Sequence, residues 1–102
     1  MGIVAVVEDV QGTKIATLED PTNILHRLLP AHDDLTFRLL NYVDWYGDTT
    51  FNRLQLPEVR RELRRLIDGR RSPEEVAFLE RLDALAARAE AEVHLYLKFY
   101  GD

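Results

Sequence analysis

The spacing of apolar positions along the chain changes several times, and each change marks an expected element. Residues 2–10 (GIVAVVEDV) are short, β-branched and nearly continuous in hydrophobicity, the pattern of a strand with both faces partly covered. Gln11-Gly12 interrupts the run. Residues 14–18 (KIATL) follow closely enough for a hairpin in which Gly12 supplies the positive φ of a tight turn or bulge. Asp20-Pro21 reads as a helix entry, because an aspartate carboxylate accepts from free amide groups and proline suits the first helical turn. Ile24, Leu25, Leu28 and Leu29 form one stripe, and Pro30 ends that helix after about two turns.

Residues 31–56 are less regular. Asp34 can cap a short helix over 35–43 that carries Leu35, Leu39, Tyr42 and Val43 on one side, and such a helix is expected although Phe37 and Leu40 point elsewhere. Around Gly47 the sequence DWYGDTTFNRLQ reads as a turn followed by an extended piece at 49–52. Pro57 and Glu58 then open a helix with Val59, Leu63, Leu66 and Ile67 inside an arc of about 100°. Asp68-Gly69 stops it.

Ser72-Pro73-Glu74-Glu75 is a capping box, with Ser72 placed to accept from the third backbone amide and Glu75 to reach back. The longest amphipathic stripe follows: Phe78, Leu79, Leu82, Leu85, Ala86, Ala89 and Val93. It can be drawn on through Tyr96, Leu97 and Tyr100, but Leu95, Leu97 and Phe99 also alternate with His94, Tyr96 and Lys98 as a strand does. A helix from Pro73 to Tyr100 would run about 42 Å, too long for a compact domain of this size. A terminal strand is therefore expected, lying beside the N-terminal hairpin and covering one of its edges. The expected fold class is α+β: a small, mainly antiparallel sheet of N-terminal hairpin plus C-terminal strand, with three to four helices packed on one face, in a single domain over 1–102.

Composition narrows the chemistry. With 102 residues and 46% hydrophobic positions the chain can build one core without metal or disulfide staples. The absence of cysteine excludes disulfide scaffolds, thiolate zinc sites, iron–sulfur clusters and cysteine nucleophiles. Thirteen basic residues against eighteen acidic ones leave a net charge of −5, which disfavours nucleic acid and anionic membranes as partners. No apolar run approaches the roughly 20 residues of a membrane span, and no targeting signal stands out, so a cytoplasmic location is expected.

The densest set of interactive side chains lies between Tyr42 and Asn52. Trp45, Tyr46 and Phe51 offer large contact area at modest entropy cost, with Asp44, Asp48, Thr49 and Asn52 as hydrogen-bonding neighbours. The competing reading is that the rings fill the core and the polar groups satisfy turn backbone. A second feature is the row Arg60, Arg61, Arg64 and Arg65, continued by Arg70 and Arg71: six arginines against three acids between Glu58 and Arg71, a net +3. It could meet a phosphate-bearing ligand, RNA or an acidic protein. Glu58 and Glu62 stand three residues before Arg61 and Arg65, and Asp68 four after Arg64, so local pairing should offset part of that field. The candidate binding residues are accordingly Tyr42, Asp44, Trp45, Tyr46, Asp48, Asn52, Arg60 and Arg64.

Catalytic candidates are sparse. Ser72 is the one serine and is committed to a cap, and no nucleophile elbow, phosphate-binding loop or dinucleotide fingerprint occurs. Asp44 with Asp48, or His94 with an acid, would be the acid–base pairs of a hydrolase. His26, His32 and His94 show no metal-ligand spacing on one element, and His32-Asp33-Asp34 reads as a polar connection. No catalytic residue, metal or cofactor is assigned. An alanine face on the long helix, Ala77, Ala84, Ala87 and Ala91, would admit close approach of another helix, although alanine is also the best helix former.

The segments YGDTTFNRLQ (46–55) and HLYLKFYGD (94–102) resemble the corresponding blocks of small uncharacterised bacterial proteins of about this length. That resemblance implies a bacterial cytosolic setting and carries no function or functional residue with it. The expectation is a non-enzymatic module that binds another protein, of the immunity or inhibitor type found in bacterial conflict systems. The alternatives are a homo-oligomeric domain, such as a homodimer through the alanine face or a strand edge, and a small-molecule binder or hydrolase using the Asp44–Asn52 loop.

Overall fold

The computed structural model describes residues 2–69 and 71–102. Four strands form one antiparallel sheet: β1 (Val4–Asp9), β2 (Lys14–Leu18), β3 (Asp48–Phe51) and β4 (Leu95–Tyr100), in the spatial order β2-β1-β4-β3. Three helices, α1 (Ile24–Leu28), α2 (Leu56–Asp68) and α3 (Pro73–Glu90), complete an α+β fold with a radius of gyration of 12.5 Å. The hairpin turns through Gly12 at φ 83°, a left-handed backbone that glycine adopts without the strain a side chain would bring. The terminal strand lies between the hairpin and β3, pairing Val7 with Leu97 on one side and Phe51 with Leu97 on the other.

Alternation along the strands sorts the side chains onto two faces. Ala5, Val7, Phe51, Leu97 and Phe99 are buried on the face that meets the helices, and Phe51 packs edge-on against Phe99 with ring centroids 6.1 Å apart. Phe78, Leu79, Leu82, Ala86 and Ala89 of α3 and Val59, Leu63 and Leu66 of α2 close the core. The capping box forms as expected: Glu75 N donates to Ser72 Oγ at 3.1 Å and Ser72 N to Glu75 Oε1 at 2.9 Å. Asp20 holds the entry to α1, its carboxylate accepting from Ile24 N and Leu25 N at 2.8 Å.

Three local expectations are corrected. The helix expected over 35–43 is absent; only a 3-10 turn, Leu40–Tyr42, forms there. The reason is competition for the backbone. The Glu62 carboxylate takes the amides of Arg38, Leu39 and Leu40, and Asp34 takes that of Thr36, so these donors are spent outside any helical ladder. Val93 leaves the apolar stripe: α3 ends at Glu90, and the chain turns through His94 at φ 75°, exposing Val93. The pairing of Glu62 with Arg65 gives way as well, because Glu62 points inward while Arg65 Nη1 donates to the Thr36 carbonyl at 2.6 Å.

Candidate functional site

Between the end of α1 at Leu28 and the start of β3 at Asp48 lie 19 residues whose only regular structure is the 3-10 turn at Leu40–Tyr42. Irregular connections longer than about 12–15 residues are uncommon in compact domains and are usually functional when ordered. This one is held along its length. Buried Glu62 grips 38–40 from α2, Asn41 Nδ2 donates to the Asp34 carbonyl at 3.2 Å, and His32 Nδ1 lies 2.7 Å from the Asn41 carbonyl. The carbonyl can only accept, so Nδ1 carries the proton.

The far end of the loop is fixed by the last residues of the chain. Gly101 N donates to the Gly47 carbonyl at 2.7 Å and Asp102 N to the Trp45 carbonyl at 3.0 Å, extending the contact between β3 and β4 by two more bonds. A Cβ at Gly101 would run into the Trp45 carbonyl, so the approach requires glycine. Asp44 shapes the turn, accepting from Tyr46 N at 2.8 Å while its own amide donates to Thr49 Oγ1 at 2.9 Å.

The candidate residues divide by position. Tyr42 and Tyr46 project into solvent at 69% and 76% exposure, and Asp44 and Asp48 are exposed beside them. Trp45 is half-buried, its ring 5.0 Å from that of His26 and 5.8 Å from that of His32. Phe51 belongs to the core. Asn52 lies past the other end of β3, where its Oδ1 accepts from Leu54 N and Gln55 N at 2.9 and 3.1 Å.

Arg60 and Arg64 stand apart from the loop, on the seam between α2 and α3. Arg60 forks onto Asp83 and reaches Glu90 at 3.2 Å, and Arg64 meets Glu80 at 3.1 Å. Bonding to Asp83, then to Glu90, pushes the Arg60 guanidinium upward against the opposing effect of burial, so it stays charged. Arg61 pairs with Glu58 at 2.6 Å, as the spacing suggested, and Arg70 lies outside the described residues. The fold thus brings Tyr42, Asp44, Trp45, Tyr46 and Asp48 into one loop system and leaves Asn52, Arg60 and Arg64 elsewhere.

Two features of this surface had no sequence signal. The histidines at 26 and 32 share no spacing, yet both meet the Trp45 indole. Trp45 Nε1 and Asn41 Oδ1 are buried without a hydrogen-bond partner among the described residues, an arrangement that costs about 1–3 kcal/mol per group. No group of three or more His, Cys, Asp or Glu side chains suited to a metal ion occurs among the described residues.

On the sheet face away from the helices, Glu8 is only 2% exposed and is clasped by Lys98 Nζ at 3.1 Å and by the Tyr100 hydroxyl. Burial by itself would raise the Glu8 carboxyl, but bonds from Tyr100 and Lys98 and the charges of Lys98 and Lys14 outweigh it and hold it below the usual glutamate value. The bonds that Lys98 and Tyr100 donate to Glu8 in turn raise both of those groups. All three groups therefore keep their ordinary charge states near neutral pH, which suits a structural clasp.

Among the described residues, no helix is long and apolar enough to cross a membrane. No protein-family model, curated protein or solved structure matches the chain.

Proposed function

We propose that the protein is a non-enzymatic protein-binding module, of the immunity or inhibitor type found in bacterial conflict systems, docking through the loop surface of Tyr42, Asp44, Trp45, Tyr46 and Asp48. The observation that carries this reading is Tyr46, 76% exposed on a long irregular loop that the Gly101 and Asp102 amides tie to the sheet. A large ring presented on a preorganised backbone loses little entropy on binding, and tyrosine and tryptophan dominate the energetics of such interfaces. Exposed Asp33, Asp44 and Asp48 and the net charge of −5 favour a basic partner surface and speed encounter with it.

The test is affinity capture from the source organism followed by calorimetry with the captured protein. The expected result is a partner bound at micromolar strength or tighter, with Tyr46→Ala weakening it about tenfold or more. Failure to find a protein partner, or a partner whose affinity ignores both Tyr42→Ala and Tyr46→Ala, overturns the reading.

A further inference from the structure

β2 (Lys14–Leu18) forms one edge of the sheet and is bonded to β1 alone. A strand offers its amides and carbonyls alternately to its two sides, so half of those in β2 point outward. Among the described residues no hydrogen bond reaches them, and every residue of the strand is exposed or half-buried. The other edge is a poorer template, since β3 is four residues long and opens on Asp48. The bulge that disturbs β2 is confined to one end, where the register shifts between Val7 and Glu8 opposite Lys14. Ala16, Thr17 and Leu18 keep regular register and carry no charge.

The core also runs out toward this edge. Ala16 and Leu18 share the helix face with Val7 and Ala5, their partners in register, yet remain half-buried, as does Leu85 of α3. α3 packs on β1, β4 and β2, which places its axis over β1, the middle strand of the three. Leu85 stands about 200° round the helix from Asp83, the acid that meets Arg60 of α2, so it looks away from α2 and toward β2.

Charge of opposite sign marks the two ends of the edge. Lys14 and Glu19 are exposed, and neither side chain makes a hydrogen bond or ion pair among the described residues. Lys14 Nζ rests 5.8 Å from the centre of the Tyr100 ring, and the carboxylate nearest to it along the sheet, Glu8, is already clasped by Lys98 and Tyr100.

We infer that β2 pairs with the β2 of a second copy of this chain, antiparallel about a two-fold axis between their Thr17 residues, joining two four-stranded sheets into one of eight. In that register Ala16 faces Leu18 of the second copy on the helix side, and Ile15 faces its Glu19 on the open side, with Lys14 diagonal to the same Glu19. Each contact occurs twice, as two-fold symmetry requires, and the half-buried apolar pair gains the cover it lacks. The match is specific in orientation. A parallel copy would set Lys14 against Lys14 and Glu19 against Glu19, and a slip of one residue would turn Ala16 and Leu18 to the wrong face. The helices leave room for it: β1 and its copy would lie three strand spacings apart, about 14 Å, whereas packed helices approach to about 8–10 Å. β2 and β3 are opposite edges, so the pairing leaves the loop surface of Tyr42 and Tyr46 open and does not rest on the function proposed for it.

The experiment is sedimentation equilibrium of the full chain from about 1 μM to about 1 mM, with hydrogen exchange measured at both ends of that range. The expected result is a reversible monomer–dimer equilibrium, with exchange at Ile15–Leu18 slowing as the concentration rises. Thr17→Lys, an exposed position that meets itself across the axis, should give a monomer with an unchanged circular dichroism spectrum. Lys14→Glu and Glu19→Lys should each weaken the dimer about fivefold, and the double variant that exchanges the two charges should restore it, which a role within one chain would not produce. A monomeric mass throughout, a dimer indifferent to Thr17→Lys, failure of the exchanged pair to restore association, or exchange slowed at 42–48 instead of 15–18 would each overturn the inference. The exchange measurement on the parent chain decides the matter even where a variant fails to fold.

Discussion

The Glu62 carboxylate, carried inward by α2, accepts a hydrogen bond of 2.9 Å from the amide of Leu40, 22 residues earlier in the chain. The same carboxylate takes the Arg38 amide at 2.8 Å and the Leu39 amide at 3.2 Å, so one buried side chain does for this loop what a helix would have done for its own backbone. Three neighbouring amides converge on a single anion, and charge-assisted bonds of that kind are the strong ones.

Replacing Glu62 by alanine leaves three amides without their acceptor. The expected loss is about 3 kcal/mol, corresponding to a fall in melting temperature of roughly 10–20 °C. Glu62→Gln retains one accepting oxygen and should fall between the two. Thermal unfolding by circular dichroism measures the order; equal stability of all three proteins would contradict the anchoring role.

Trp45 presents a contrast between ring area and polar cost. Trp45→Ala removes a half-buried indole and should destabilise by about 2 kcal/mol, whereas Trp45→Phe also removes the unpartnered buried Nε1–H and should stay within about 1 kcal/mol of the parent. Urea unfolding midpoints separate the two. If phenylalanine costs as much as alanine, the indole nitrogen is making a bond that matters.

The Glu8 clasp gives a pH dependence with a definite sign. Its carboxyl is held below the usual glutamate value in the folded chain, so the unfolded chain binds the proton more readily. The stabilisation is therefore complete above the ordinary value, near pH 4.5, and is lost as the pH falls through the folded value. Glu58 is lowered through its bond to Arg61, and Glu75 through the Ser72 amide, and these act in the same direction. Urea titrations between about pH 7 and about pH 3 should show a shallower acid limb for Glu8→Gln than for the parent. At the alkaline end the sign reverses. Tyr100 and Lys98 are raised by their bonds to Glu8, so their contribution is present below the ordinary values, near pH 10, and fades above them.

Gly101→Ala tests the tie between the chain end and the loop. The added Cβ meets the Trp45 carbonyl and must push the strap away, breaking the bonds to the Gly47 and Trp45 carbonyls. Because the strap is peripheral, global stability should fall by less than about 2 kcal/mol, while the loop gains local openings. Hydrogen exchange should accelerate at Gly101, Asp102 and Tyr46 but not at core amides such as Val7. Unchanged exchange at Tyr46 would show that the loop holds its shape without the strap.

Local signals were legible where the physics is local. Lys14–Leu18, the Ser72 capping box, the Gly12 turn and the terminal strand could all be read from period, turn chemistry and length, since each involves residues a few positions apart. The failures share one cause. Leu35, Leu39, Tyr42 and Val43 have helical spacing, but spacing does not reveal that a carboxylate on α2 will claim the amides that helix needs. Val93 fits the stripe of α3, yet the stripe does not show where the backbone turns to begin β4.

The candidate surface divides the same way. Its aromatic and acidic composition was visible in the sequence; which rings meet water was not, and Phe51 went to the core while Tyr46 stayed outside. Sequence by itself determined the α+β class, the four strands' material and the acidic balance, because hydrophobic period and charge are properties of neighbouring residues. Only the tertiary structure decided that His26 and His32 flank Trp45, that Glu62 organises the long loop and that Tyr100 clasps Glu8 across 92 residues. Those partnerships arise from the order in which strands pair and helices pack, and a buried polar group takes whichever partner that packing brings within reach.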